Sequence, residues 1–171
     1  MEFFDESIRN LISQNVDINV NFQHEKFKVG RSNITFKIFD DDNTYVLRRP
    51  PYGEKLESAH NMSREYKIID VLSNNNIKVP KPVFLYTQKE VCEDDFYIME
   101  YIDGETISTN IDADKYSDKD KENISTSFIE TISTIHNFDV VNSELSDLGK
   151  HNGYVERQLK RWNKQFEAQK V

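Results

Sequence analysis

The sequence predicts an α+β fold, in which a five-stranded antiparallel sheet with one crossing helix is followed by further helices. The patterns along the first hundred residues occur in the order three strands, one helix, two strands. A polar hairpin turn, Asp40–Asn43, joins the second and third strand patterns. After Gly104 the apolar residues recur only at helical spacing.

The first element is predicted to be an amphipathic helix, and three strands follow it. Four apolar residues near the start recur at helical spacing, and the pattern fades after Gln14: Phe4, Ile8, Leu11 and Ile12. The strand patterns cover residues 22–29, 33–39 and 44–49. Pro50 and Pro51 end the third strand, because proline supplies no donor to the hydrogen-bond ladder.

The next helix crosses the sheet, and two strands complete it. One face of this helix is apolar and consists of Ala59, Met62, Tyr66, Ile69 and Leu72. The apolar pattern stops at a run of three asparagines, Asn74–Asn76. We expect this helix over about residues 59–73. Strands are predicted at 83–86 and 95–101, and the turn pair Asp103-Gly104 stops the last one.

The remainder of the chain is predicted to be helical. A helix over 118–136 and a second one near the end each carry an apolar stripe, made of Ile124, Phe128, Ile132, Ile135 and His136 in the first and of Val155, Leu159, Trp162 and Phe166 in the second. The change of pattern predicts two domains, 1–103 and 104–171. The last stripe needs a partner, which is compatible with self-association through an exposed apolar helix face.

Composition excludes several classes of protein. The 171 residues are 37% hydrophobic and 12% aromatic, enough for a core, and the formal net charge of −8 argues against a nucleic-acid binder. The single cysteine, Cys92, excludes internal disulfides and a cysteine-rich zinc site. No signal peptide or membrane-spanning run is evident, so the default expectation is a cytoplasmic protein that binds no membrane.

Four features in order along the chain indicate a nucleotide site. The turn Gly30-Arg31-Ser32-Asn33 lets backbone amides approach phosphate oxygens, with Ser32 and Asn33 as added donors. Arg48 in the third strand is a cation for phosphates, and Glu65 on the crossing helix is its natural partner. The last strand ends at Met99-Glu100-Tyr101-Ile102, where backbone N–H and C=O groups can meet adenine. We call this segment the hinge.

Each of these features also has a simpler interpretation. Any hairpin can turn through such a glycine-containing sequence. Arg48 is then an edge cation in solvent and Glu65 a surface carboxylate. Because successive strand residues point to opposite faces, Arg49 is expected to be such a solvated cation.

The sequence resembles the aminoglycoside phosphotransferase family, and within it the branch with the kinase-like domains of acyl-CoA dehydrogenase-associated proteins. The resemblance covers Gly30 through Phe166. The matching segments are Val29–Asn33, Tyr45–Pro51, Ser58–His60, Arg64–Tyr66, Val79–Pro82, Phe96–Gly104, Ile135-His136, Asp147–Gly149, Gly153–Gln158 and Arg161-Trp162.

This resemblance implies a protein-kinase-like N-terminal lobe, followed by the first helices of a C-terminal lobe. It also implies ATP-dependent phosphorylation of a hydroxyl on a small molecule. Carried over to this chain, Arg48 contacts the α- and β-phosphates and Glu65 pairs with it. Glu100 and Ile102 offer main-chain hydrogen bonds to adenine, and Met99 lies behind the adenine pocket as the gatekeeper.

Two segments imitate the catalytic parts of a kinase without their spacing. Asn142 follows Asp139 by three residues, whereas the kinase loop places asparagine five residues after the aspartate. Asp147 follows Asp139 by only eight residues, which is too few for it to be the metal-binding aspartate. His136 is expected to be a packed helix residue. We therefore assign no catalytic and no metal-binding residue. The resemblance places the catalytic loop, the Mg²⁺ ligands and the acceptor-binding residues beyond Val171.

A rival interpretation is a non-catalytic module that binds nucleotide or another protein. A reading frame that continues after Val171 into a His-Gly-Asp loop favours the enzyme, and an in-frame stop favours the module. A third interpretation is a plain structural α+β domain. For the 171 residues alone we expect no phosphotransferase activity and weak nucleotide binding.

Overall fold

The computed structural model describes residues 3–28, 33–53, 60–107, 109–149 and 152–169. Its helices and strands follow the predicted order, with one short additional helix between the last strand and the helix predicted at 118–136. They are α1 (Glu6–Asn15), β1 (Gln23–Lys26), β2 (Ile34–Phe39), β3 (Thr44–Arg49), α2 (Met62–Asn74), β4 (Pro82–Tyr86), β5 (Phe96–Glu100), α3 (Asn110–Ala113), α4 (Asp118–His136) and α5 (Tyr154–Gln169).

The five strands form one sheet in the order β1-β2-β3-β5-β4, and every neighbouring pair is antiparallel. The predicted five-stranded antiparallel sheet with one crossing helix is therefore confirmed. β5 is inserted between β3 and β4, so the last strand of the sheet lies beside the third. This insertion places the end of β5 next to the start of β3, where Tyr45 is opposite Glu100.

One face of the sheet, here called the α1 face, carries the main core. Residues of β2 alternate between buried and half-buried, as expected for a strand with one covered face. Phe36 and Ile38 of β2 and Leu47 of β3 pack there against Phe4 and Ile12 from the N-terminal segment. α1 begins where the Asp5 carboxylate accepts a hydrogen bond from the Ile8 amide, 3.0 Å away, an ordinary N-cap.

The opposite face, here called the α2 face, carries the crossing helix. α2 begins where Asn61 accepts a hydrogen bond from the Arg64 amide at 2.8 Å. The Tyr66 ring meets the Tyr97 ring of β5 edge-on, with centroids 6.1 Å apart, so the predicted packing of this helix on the sheet is confirmed. The N-terminal end predicted for the helix, near Ala59, lies outside the described residues.

The chain divides into two compact units, Met1–Asn137 and Phe138–Val171. The first unit holds the sheet and helices α1 to α4, and the second holds α5. α4 has the predicted bounds and starts with a capping box between Ser117 and Asp120. The domain boundary predicted between residues 103 and 104 stays a prediction. Within the described residues, no helix is long and apolar enough to cross a membrane.

Candidate nucleotide-binding site

Arg48 and Glu65 meet on the α2 face of the sheet. Nε of Arg48 lies 3.1 Å from Oε2 of Glu65, and each side chain is about one-third exposed. Nε makes no aligned hydrogen bond within the described part of the chain, so the contact is an ion pair without hydrogen-bond geometry. An ion pair exposed to this extent contributes at most about 1 kcal/mol to stability, so its value is positional. The predicted approach of these two charges is confirmed.

Strand alternation explains why Arg48 is available to the helix. Arg48 is directly opposite Tyr97 of β5 and Thr35 of β2, so all three side chains belong to the α2 face. Glu65 lies in the first turn of α2, which starts over this face. The local strand and helix patterns thus bring together two residues that are 17 positions apart in the chain.

The Glu65 carboxylate has two further partners. Nδ2 of Asn33 donates to Oε1 at 2.8 Å, and the Tyr97 hydroxyl donates to Oε2 at 3.2 Å. The side-chain oxygen of Asn33, Oδ1, in turn lies 2.8 Å from Nδ1 of His60. Both carboxylate oxygens are therefore engaged, which fixes the orientation of the group that faces Arg48.

Tyr97 is a buried member of this cluster, only 3% exposed. Burial raises the pKa of its hydroxyl well above the ordinary value near 10, and Glu65 raises the pKa further, whereas the Arg48 cation lowers it. The hydroxyl therefore stays protonated and remains a donor to Glu65 throughout the physiological range.

Replacing Tyr97 by Phe is expected to change the alkaline stability of the chain. A folded-state pKa above the unfolded one contributes stability that is complete below about pH 10 and is lost as the pH rises further, by about 1.4 kcal/mol per pH unit for one proton. Phenylalanine cannot ionise, so the free energy of unfolding of Tyr97→Phe should fall less steeply between pH 10 and 11. At pH 8 the variant should lose about 0.5–1.5 kcal/mol with the hydrogen bond. Urea unfolding at pH 8, 10 and 11 measures both effects.

Tyr154→Phe is the matched control, since Tyr154 is 65% exposed. As a substitution at an exposed position it should change the free energy of unfolding by no more than about 0.5 kcal/mol. Parallel alkaline slopes for Tyr97→Phe and the unsubstituted chain would show that Tyr97 ionises as easily in the folded state as in the unfolded state.

The predicted hinge lies at the end of β5. The Glu100 amide donates to the Lys81 carbonyl at 2.8 Å, so the main-chain group that Glu100 can offer adenine is its carbonyl oxygen. Met99 is half-buried, on the same face as Arg48 by strand alternation. Ile102 follows the strand and is 59% exposed, and Nζ of Lys37 lies 4.7 Å from the ring centroid of Tyr101.

The predicted phosphate-binding turn is described only in part. Gly30 and Ser32 lie outside the described residues, so their assigned contacts stay predictions. Asn33 is described, and the structure places its amide against Glu65 and His60. No sequence pattern predicts this contact, because Asn33 and Glu65 lie 32 positions apart in the chain.

Comparison with known proteins decides the family. A sequence model of the family described as "APH: Phosphotransferase enzyme family" matches residues 24–171. The chain belongs to the APH phosphotransferase family. This finding confirms the resemblance that the motifs indicated, including the kinase-like fold.

Individual relatives and a solved structure agree with this family. Over 143 residues the chain is 32% identical to acyl-CoA dehydrogenase family member 11 of Homo sapiens and 33% identical to member 10 of Mus musculus, 84% of this chain in each case. It spans 18% of the length of the first protein and 13% of the second. A solved structure of a candidate aminoglycoside phosphotransferase from Ralstonia eutropha has a TM-score of 0.75 at 29% identity, over 97% of this chain and 48% of that one.

Arg49 corrects one expectation for this member of the APH family. It was expected to be a solvated cation, yet it is 3% exposed on the α1 face. Its guanidinium forms an ion pair with Asp94 and lies 4.2 Å from the Phe3 ring centroid and 4.3 Å from that of Tyr52. Burial lowers the pKa of Arg49. Arg49 does lie on the face opposite Arg48, as strand alternation predicts, but Phe3 of the N-terminal segment covers it there.

The segments that imitate kinase catalytic parts have local roles. Asp139 accepts hydrogen bonds from the Asn142 amide at 3.1 Å and its side chain at 2.7 Å, which lower the pKa of Asp139 and stabilise a turn. His136 lies exposed in the last turn of α4, so the prediction that its side chain is packed is wrong. Among the described residues, no three or more His, Cys, Asp or Glu side chains gather as metal ligands would.

Proposed function

We propose that the sheet and α2 form the ATP-binding lobe of a phosphotransferase that transfers phosphate to a hydroxyl of a small molecule. The observation that carries the proposal is the Arg48–Glu65 ion pair on the α2 face, buttressed by Asn33 and Tyr97. A strand cation held by a helix carboxylate is the arrangement that kinase-like lobes use for nucleotide phosphates. Membership of the APH family supports the same reaction class.

The residues present fit a nucleotide. A guanidinium has five N–H donors, so Arg48 can face Glu65 through Nε and still offer its terminal donors to the α- and β-phosphates. The Glu100 carbonyl and the Ile102 amide lie in the segment that would receive adenine, with Met99 behind it. The Gly30–Asn33 turn is proposed to add backbone amides and the Ser32 hydroxyl.

The chemistry beyond nucleotide binding is assigned to other residues of the protein. A bound Mg²⁺ would neutralise developing phosphate charge, and an aspartate would orient the acceptor hydroxyl. The described residues offer neither Mg²⁺ ligands nor such an aspartate at the spacing found in kinases. This chain is therefore proposed to bind and orient the nucleotide. The acceptor is proposed to be a small hydroxylated molecule, and the location cytoplasmic.

Replacing Arg48 by Gln is expected to weaken Mg-ATP binding about tenfold, because a charge-assisted phosphate contact is lost. The unsubstituted 171-residue chain should already bind weakly. The residues proposed for the site contact adenine from one side only, so we expect an affinity nearer millimolar than micromolar, a difference of roughly 4 kcal/mol. Methyl NMR suits this range, since the Met99 signal should shift on titration while that of the fully buried Met62 moves less.

Arg64→Gln is the matched control, because it removes the same charge from an exposed neighbour of Glu65. Its affinity for Mg-ATP should stay within twofold of the unsubstituted chain. Equal weakening in both variants would indicate a general charge effect and would remove Arg48 from the site. An assay of phosphate transfer to hydroxylated acceptors accompanies the titration. Turnover by this chain would place catalysis on Asp139, Asp147 or His136, against the present assignment.

A further inference from the structure

A continuous chain of polar contacts leads to Arg48 from His60, the residue before the N-cap of α2. Nδ1 of His60 lies 2.8 Å from Oδ1 of Asn33, and Nδ2 of Asn33 lies 2.8 Å from Oε1 of Glu65. Oε2 of Glu65 lies 3.1 Å from Nε of Arg48. The four residues come from the segment before α2, the residue before β2, the first turn of α2 and the third strand. We call this set the His60 relay.

Chemistry fixes the direction of each hydrogen bond in the relay. An ionised carboxylate only accepts, so Asn33 must present its NH₂ group to Glu65 and its carbonyl oxygen to His60. That oxygen cannot donate, so Nδ1 of His60 must carry the proton. Neutral histidine in water favours the proton on Nε2, and the relay therefore selects the less common form of the ring.

We propose that His60 and Asn33 are positioning residues for the phosphate-binding cation, an inference that rests on the proposed function. His60 precedes the N-cap Asn61, and Asn33 immediately precedes Ile34 of β2. Their contact ties the start of α2 to the start of β2. It thereby holds the Glu65 carboxylate in the orientation that meets Arg48.

This role differs from the one predicted for Asn33 from the sequence. A side chain that donates a hydrogen bond to phosphate would direct its amide at the ligand. Here the Asn33 NH₂ group donates to Glu65, and its side-chain oxygen contacts His60. Tyr97 supports the other oxygen of the same carboxylate, at 3.2 Å. Glu65 is thus held at both oxygens by neutral donors, and the relay orients the charged partner of Arg48 without contacting nucleotide.

The first test reads the relay without nucleotide. In the unsubstituted 171-residue chain, ¹⁵N NMR of the neutral His60 ring, assigned with His60→Phe, should show the proton on Nδ1. Asn33→Ala should return His60 to the Nε2 form. The Arg48 Nε–H resonance, assigned with Arg48→Gln, should move in both Asn33→Ala and His60→Phe. His60→Asn should restore it, because the asparagine NH₂ group lies near the position of Nδ1.

The second test reads the consequence for binding. His60→Phe and Asn33→Ala should weaken Mg-ATP binding about threefold to tenfold, the effect of one lost hydrogen bond at a site. His60→Asn should recover most of the affinity. His136→Phe, the same substitution at an exposed histidine, should leave affinity unchanged.

The outcomes separate this inference from the proposed function. A His60 ring protonated on Nε2, or an Arg48 signal unmoved in Asn33→Ala and His60→Phe, overturns the relay whatever the chain binds. Unchanged affinity in both variants, in a chain that binds Mg-ATP, overturns the positioning role. If the unsubstituted chain binds no Mg-ATP, the proposed function fails, and the His60 and Arg48 signals still decide whether the relay orients the cation.

Discussion

Phe96→Ala should lower the free energy of unfolding by about 3–5 kcal/mol, the usual cost of removing a buried aromatic ring. Phe96 is fully buried in β5, a central strand of the sheet. Its ring stacks on Tyr86 at 5.1 Å between centroids and meets the edge of Phe3 at 5.8 Å. Alanine would leave a cavity among groups anchored by two neighbouring strands, which limits collapse. Urea unfolding monitored by circular dichroism measures the change.

Phe128→Ala provides the control for this substitution. Phe128 is 62% exposed on α4, so the same change of side chain should alter stability by no more than about 0.5 kcal/mol. A cost below 1 kcal/mol for Phe96→Ala would mean that the α1 face of the sheet is not a packed core.

Arg49→Met should destabilise the chain by about 3–5 kcal/mol, because a buried charge loses its opposite charge. The Asp94 side chain is 12% exposed and would lose the guanidinium that it faces. Methionine replaces much of the stacking volume between Phe3 and Tyr52, so the loss reports the charge more than the packing. Urea unfolding near pH 7 is the measurement.

A second substitution separates these contributions. Asp94→Asn in the Arg49→Met background removes the carboxylate charge that faced Arg49 and should recover about 1–3 kcal/mol, whereas Asp94→Asn alone should destabilise. Arg64→Met, at an exposed position of α2, should change stability by no more than about 0.5 kcal/mol. Strict additivity of the Arg49 and Asp94 substitutions would indicate that the two charges do not interact.

Arg49 shows where sequence reasoning stops. Strand alternation correctly separates Arg49 from Arg48, because side-chain direction within a strand is a local property. Exposure is not local, since it depends on what covers each face. Two of the groups that bury Arg49 lie far away in the chain, at Phe3 before α1 and at Asp94 before β5.

His136 and Asn33 illustrate the same limit in two directions. The helical stripe that contains His136 predicts a buried side, but the described residues leave that histidine exposed. Asn33 was assigned to phosphate because of the turn that precedes it. Its contacts with Glu65 and His60 span 32 and 27 positions, and no sequence pattern marks them.

The sequence by itself determined the strands, the longer helices, their order and the face on which Arg48 lies, but it did not predict the short helix α3. The bounds predicted for β3 and α4, 44–49 and 118–136, are those observed, because alternation, helical spacing and turn residues act over a few neighbouring positions. The motifs also determined the family. Only the tertiary structure decided that β5 lies between β3 and β4, that Arg49 is buried, and that His60 and Asn33 hold Glu65. These features depend on contacts between distant segments, whose formation is a property of the whole packed fold.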